Sequence, residues 1–136
     1  MPPALRRALA VLAGVGVAIG IVFAVESISS RFYPLPPVTS YSDPEAMTAM
    51  MSRLPRAALL IVLLGWGLAT MAGAWIAARV AGRRQGPAWT VGVVLLAAAV
   101  FNMLELPHPL WFWVAGVAVF LPAAWLGGRL AGAGMS

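Results

Sequence analysis

The sequence contains no cysteine and no lysine, a single histidine and four carboxylates, and only 10% of its 136 residues are charged. Without cysteine there is no disulfide, iron–sulfur or thiolate chemistry. One histidine and four acids are poor material for a metal centre or an acid–base pair. No glycine-rich phosphate loop is present, because the glycines lie inside apolar runs. A soluble domain carries roughly a quarter charged residues; here 62% of the residues are hydrophobic instead. A chain this short cannot hide that much apolar surface in one core, and the excess calls for lipid as solvent.

Four apolar runs are present, at residues 8–25, 57–78, 87–104 and 110–128. Each meets the roughly 17–25 residues needed to cross about 30 Å of hydrocarbon. Backbone groups in lipid must be satisfied within the segment, and the runs lack the alternation of barrel strands, so each is read as a helix. The sequence predicts an all-α integral membrane protein: a single four-helix bundle with spans near 6–28, 55–80, 87–104 and 109–131 and an outer loop over 29–54. The first run exceeds the apolar region of about 7–15 residues in a cleaved leader, and the expectation is a retained helix.

All nine cations are arginines. Arg6, Arg7, Arg79, Arg83, Arg84 and Arg129 flank the runs on one side, where no acid accompanies them. Arg31, Arg53 and Arg56 fall on the other, with Glu26, Asp43, Glu45 and Glu105. Positive flanks mark the cytoplasmic face, so both termini are expected in the cytoplasm, in a plasma or inner membrane. The net charge of +5 then reads as topology and attraction to anionic lipid. Nucleic-acid binding is not expected, since that calls for a basic face on a soluble module.

The outer loop divides in two. Tyr33-Pro34-Leu35-Pro36-Pro37 is expected to be stiff and extended. Ser42-Asp43-Pro44-Glu45 has a capping-box pattern, and Met47, Met50, Met51 and Leu54 follow at helical spacing. The reading is a short amphipathic helix over 43–53 at the outer interface, either a lid on the bundle or a docking surface.

Two segments resemble each other. Ala74-Trp75-Ile76-Ala77-Ala78-Arg79-Val80-Ala81-Gly82 and Ala124-Trp125-Leu126-Gly127-Gly128-Arg129-Leu130-Ala131-Gly132 match in pattern at an offset of 50 residues. Duplication of a helical hairpin, giving two parallel repeats about an axis along the membrane normal, is the expected origin. Small residues recur every four positions: Gly65, Ala69, Gly73, Ala77 and Ala81 in the second span, Gly16, Gly20 and Ala24 in the first with Ala10, Gly14 and Ala18 beside them, and Ala124 and Gly128 in the fourth. Such rows permit close helix packing in lipid. Pro122 is expected to kink the last span or free a carbonyl.

The polar candidates are Glu26, Asn102, Glu105 and His108, with Arg31, Arg53 and Arg56 as partners around an outer mouth. From Arg7 to Glu26 is 19 residues, about 28 Å of helix, which places Glu26 at the outer interface and no ionisable group deep in a span. Glu26 and Glu105 are expected on one rim, at least one paired with an arginine. Glu105 and His108 are too few for a zinc site and are interrupted by Pro107. No catalytic, cofactor or metal residues are assigned. The function expected is a non-catalytic membrane protein acting through helix packing, as an accessory subunit of a membrane complex or a structural homo-oligomer. Its partners are the lipid bilayer and either another membrane protein or itself. The alternative is a small channel or transporter with an acidic outer mouth.

Overall fold

The computed structural model describes residues 1–34 and 42–134. They form five helices: α1 (Pro3–Phe32), α2 (Pro44–Ser52), α3 (Arg56–Val80), α4 (Gln85–Glu105) and α5 (Leu110–Leu130). All except α2 are long and apolar enough to cross a bilayer. The segment read as stiff and extended falls mostly outside the described residues, from Leu35 onward.

The punctuation is local. Pro2, Pro55 and Pro109 occupy the positions just before α1, α3 and α5, where a missing N–H costs nothing and φ is already set. At α2 the cap differs from expectation. Asp43, not Ser42, is the capping residue, its carboxylate accepting from the Glu45 N–H at 3.0 Å. Pro44 fixes the first helical position one residue later than a serine-capped box requires. The α5 helix continues through Pro122 to Leu130.

The two similar segments end their helices in the same way. In α3, Gly82 takes φ 84°, its N–H bonds the Arg79 carbonyl at 3.1 Å, and the Arg83 N–H bonds Ala78 at 2.7 Å. In α5, Gly132 takes φ 88°, with Gly132 to Arg129 at 2.9 Å and Ala133 to Gly128 at 3.0 Å. Both are Schellman ends, which require the left-handed conformation that glycine tolerates. Arg79 lies over Trp75 at 5.6 Å and Arg129 over Trp125 at 5.7 Å, so the tryptophan–arginine pairs also correspond.

Helix α3 is central, packing against α1, α4 and α5. Its small residues lie where the neighbouring helix comes close. A Cβ on Gly73 would lie 2.5 Å from the Gly14 carbonyl oxygen and 3.1 Å from Ala18, and one on Gly65 would lie 2.7 Å from Val25. Ala69 and Ala77 are buried in the same face. On α1 the face is corrected. Ala10, Gly14 and Ala18 meet α3, whereas Gly16 and Gly20 have nothing within 4 Å. The two rows sit side by side on one helix, and only one can face the bundle. Gly128 packs on Gln85, and Gly127 meets Met71 and Ala74 of α3.

The arginine-rich end is held by an all-alanine cluster that includes Ala74, Ala78, Ala88 and Ala124, and Arg6 Nε donates to the Val80 carbonyl at 2.6 Å. The other end is filled by larger groups: Trp66, Met103, Phe112 and Phe120, joined by Met47, Met50 and Met51 of α2. Between α1 and α4 the seam is loose. Gly14 and Val91 approach in its middle, and a cavity opens on either side of that contact.

Candidate functional site

The cavity in the aromatic half of the seam, about 300 Å³, gathers polar groups from three helices. Helix α1 contributes Glu26, α3 contributes Trp66 and Thr70, and α4 contributes Asn102, while Leu95 and Phe120 complete an apolar floor.

Each polar group has a local cause. Thr70 is fully buried, and its hydroxyl donates to the Trp66 carbonyl one turn earlier at 2.7 Å, the ordinary way for threonine to satisfy itself in a helix. Trp66 is 6% exposed, wedged edge-on against Phe112 at 5.3 Å and tilted on Phe120 at 5.6 Å. A buried indole needs an acceptor for its N–H, and the Glu26 carboxylate supplies it. The packing of Trp66 thus fixes where that carboxyl group sits, while the rest of Glu26 remains exposed.

The depth of Glu26 departs from expectation. Val25 meets Gly65, which is nine residues past Arg56 at the start of α3. The carboxyl group therefore lies about 13 Å inside that end of α3 at 1.5 Å per residue, not at its mouth. The distance from Arg7 alone makes Glu26 the exit of the span. In fact nothing in Glu26-Ser27-Ile28-Ser29-Ser30 breaks a helix, and α1 continues to Phe32.

The expected outer cluster separates. Glu26 and Asn102 share the cleft. His108 lies elsewhere, stacked on Phe112 at 4.5 Å and 17°. Its Nδ1–H donates to the Leu106 carbonyl at 2.9 Å, since a carbonyl can only accept. Burial holds the imidazole below its ordinary value of 6.5, against the opposing pull of the Leu106 and Met103 carbonyls. Glu105, Arg31, Arg53 and Arg56 are exposed, and among the described residues neither Glu26 nor Glu105 forms an ion pair with an arginine. Trp66 was not foreseen as part of the site. Its signal was available: a tryptophan far from either end of its span has an indole N–H that must find a partner.

A carboxyl group held by an indole, with an amide nearby and an apolar floor, can accept or donate one or two hydrogen bonds to a group arriving from the side. Among the described residues no cluster of three metal-ligating side chains accompanies it. No family model matches the chain, and no curated protein or solved structure matches it.

Proposed function

We propose that the protein is an accessory subunit of a membrane complex, a non-catalytic multi-pass protein whose α1 helix docks on a transmembrane helix of a different protein. The observation that carries this reading is the open face of α1. Leu12, Ile19 and Phe23 are exposed at 67%, 59% and 72%, and Gly16 and Gly20 beside them meet nothing within 4 Å. Of the other helical glycines, Gly86 in the first turn of α4 also meets nothing, and the rest approach a neighbouring helix. An unfilled row of this kind favours a close helix contact in lipid.

Glu26 selects the kind of partner. Copies of one chain share one orientation in the membrane, so self-pairing through α1 is parallel. It would bring two Glu26 groups to one level, where like charges in a low dielectric are costly. A different helix can place small residues opposite Gly16 and Gly20 and a donor at the level of Glu26. A conducting path down the bundle is less well supported, since Trp66, Met103, Phe112 and Phe120 fill the space between α3, α4 and α5. On the same reading both termini are cytoplasmic, in a plasma or inner membrane. Helix α2 covers the outer end with its methionine face, and the like ends of α3 and α5 descend from hairpin duplication.

The test is extraction in mild detergent with mass determination. The full chain should travel with a second membrane polypeptide at fixed stoichiometry. Gly20→Leu should release it without changing thermal unfolding of the bundle, and Val114→Leu, on an exposed position of α5, should not. A bare monomer, a self-assembled ring, or a complex that survives Gly20→Leu would each reject the reading.

A further inference from the structure

The second cavity of the α1–α4 seam, at the arginine-rich end, is larger, about 1320 Å³. Arg7 of α1 and Arg83 and Arg84 of the α3–α4 turn line it. Among the described residues their guanidinium groups make no hydrogen bond or ion pair, although other arginines of this end are engaged. Arg6 is bonded to Val80, and Arg79 and Arg129 are stacked on tryptophan. Among the described residues no carboxylate lines the cavity. The four acids of the chain are Glu26, Asp43, Glu45 and Glu105; Glu26 lies beyond the Gly14–Val91 contact, in the other half of the seam. Three cations thus face one space with no counter-ion among the described residues.

Three further features describe what fits. The first turn of α4 opens into the cavity at Gln85 and Gly86, and its N-cap, Arg84, provides no side-chain hydrogen bond to it. Its N–H groups add to the positive field. Arg83 is held at φ 62°, a left-handed conformation unusual for a residue with a side chain. It follows directly from the Gly82 helix end. Above the arginines the wall becomes apolar, formed by Ala8, Val11, Leu12 and Pro87. Cationic at one level and apolar along the helices, the cavity has the polarity of an amphiphile with an anionic head.

We propose that this cavity binds an anionic phospholipid, its phosphoryl group held by Arg7, Arg83 and Arg84 and its first acyl segment lying along α1 and α4. The phosphate chemistry is planar-fork recognition by guanidinium, which arginine performs bidentately. The apolar wall assigns the source as a lipid and not a soluble anion.

The test uses native mass spectrometry on the delipidated full chain with equal micromolar amounts of dioleoylphosphatidylglycerol and dioleoylphosphatidylcholine. The first binding event should prefer phosphatidylglycerol by about tenfold or more, the scale of one charge-assisted contact. Arg7→Gln and Arg84→Gln should each remove most of that preference, and Arg84→Lys should retain part of it. Arg79→Gln makes the same change in net charge outside the cavity and should leave the preference intact. Phosphatidylglycerol should also raise the unfolding temperature of the wild type more than phosphatidylcholine does. Absence of headgroup preference in a folded wild type, or equal losses in Arg79→Gln and Arg84→Gln, would overturn the site. Displacement of the lipid by millimolar inorganic phosphate alone would overturn the lipid assignment in favour of a free anion.

Discussion

Glu26 is where the chemistry of single residues concentrates. Its carboxylate satisfies the Trp66 indole, and Trp66 in turn rests on Phe112 and Phe120. Glu26→Leu leaves that N–H without an acceptor and should lower stability by about 1–3 kcal/mol. Glu26→Gln keeps a carbonyl oxygen for it and should leave thermal unfolding of the isolated bundle within error. Unfolding curves in one detergent separate the two; equal loss in both variants would show that charge, not acceptance, matters. His108 offers a second residue-scale test. Burial lowers its folded-state value from 6.5, so the unfolded chain takes up the proton first as the pH falls. The stability tied to neutral His108 is complete above 6.5 and lost as the pH drops through the lower folded-state value. The unfolding temperature should therefore fall on mild acidification, and His108→Phe, which keeps the stacking on Phe112, should flatten the slope over that window. An unchanged slope would place the titration elsewhere.

At the scale of elements, glycine placement decides which helix faces meet. Gly73 and Gly14 let α3 and α1 approach until each lies on the other's backbone. Gly73→Leu has no flexible neighbour to displace and should cost about 1–3 kcal/mol or more through overpacking. Leu64→Ala, at a position 66% exposed on the same helix, should cost far less. Comparable unfolding temperatures for the two would mean that the row faces lipid. The four spans were legible from run length alone, and so was the closing face of α3, because its small residues form a single row. The choice between the Gly14 and Gly16 rows of α1 was not legible, since both have the same spacing and only the partner helix distinguishes them. The depth of Glu26 was lost for a similar reason. A charge reads as the boundary of a span, but a glutamate in good helical sequence ends nothing, and its level is set by the Val25–Gly65 register between two helices.

Across the whole molecule, charge and architecture divide along the same axis. One end carries six arginines without an acid, the all-alanine cluster and the two Schellman turns. The other carries α2 with its three methionines, Met103, and three of the four acids. The bundle also departs from the strict twofold that a hairpin repeat suggests. Helix α3 packs on α4, whereas among the described residues α5 makes no matching contact with α1, and both cavities lie along the loose α1–α4 seam. The proposed orientation in the membrane rests on the arginine asymmetry, because cations near span ends are retained on the cytoplasmic side. A reporter fused after Ser136 should be active only in its cytoplasmic form, and one inserted between Thr39 and Ser42 only in its exported form. Replacing Arg83 and Arg84 with glutamine removes two of the six arginines but leaves four against three. The topology should therefore persist in that variant while phosphatidylglycerol preference is lost. A C-terminus found outside in the wild type would reject the orientation. An inversion in the double variant would show that the turn alone, not the sum over flanks, holds the chain in place.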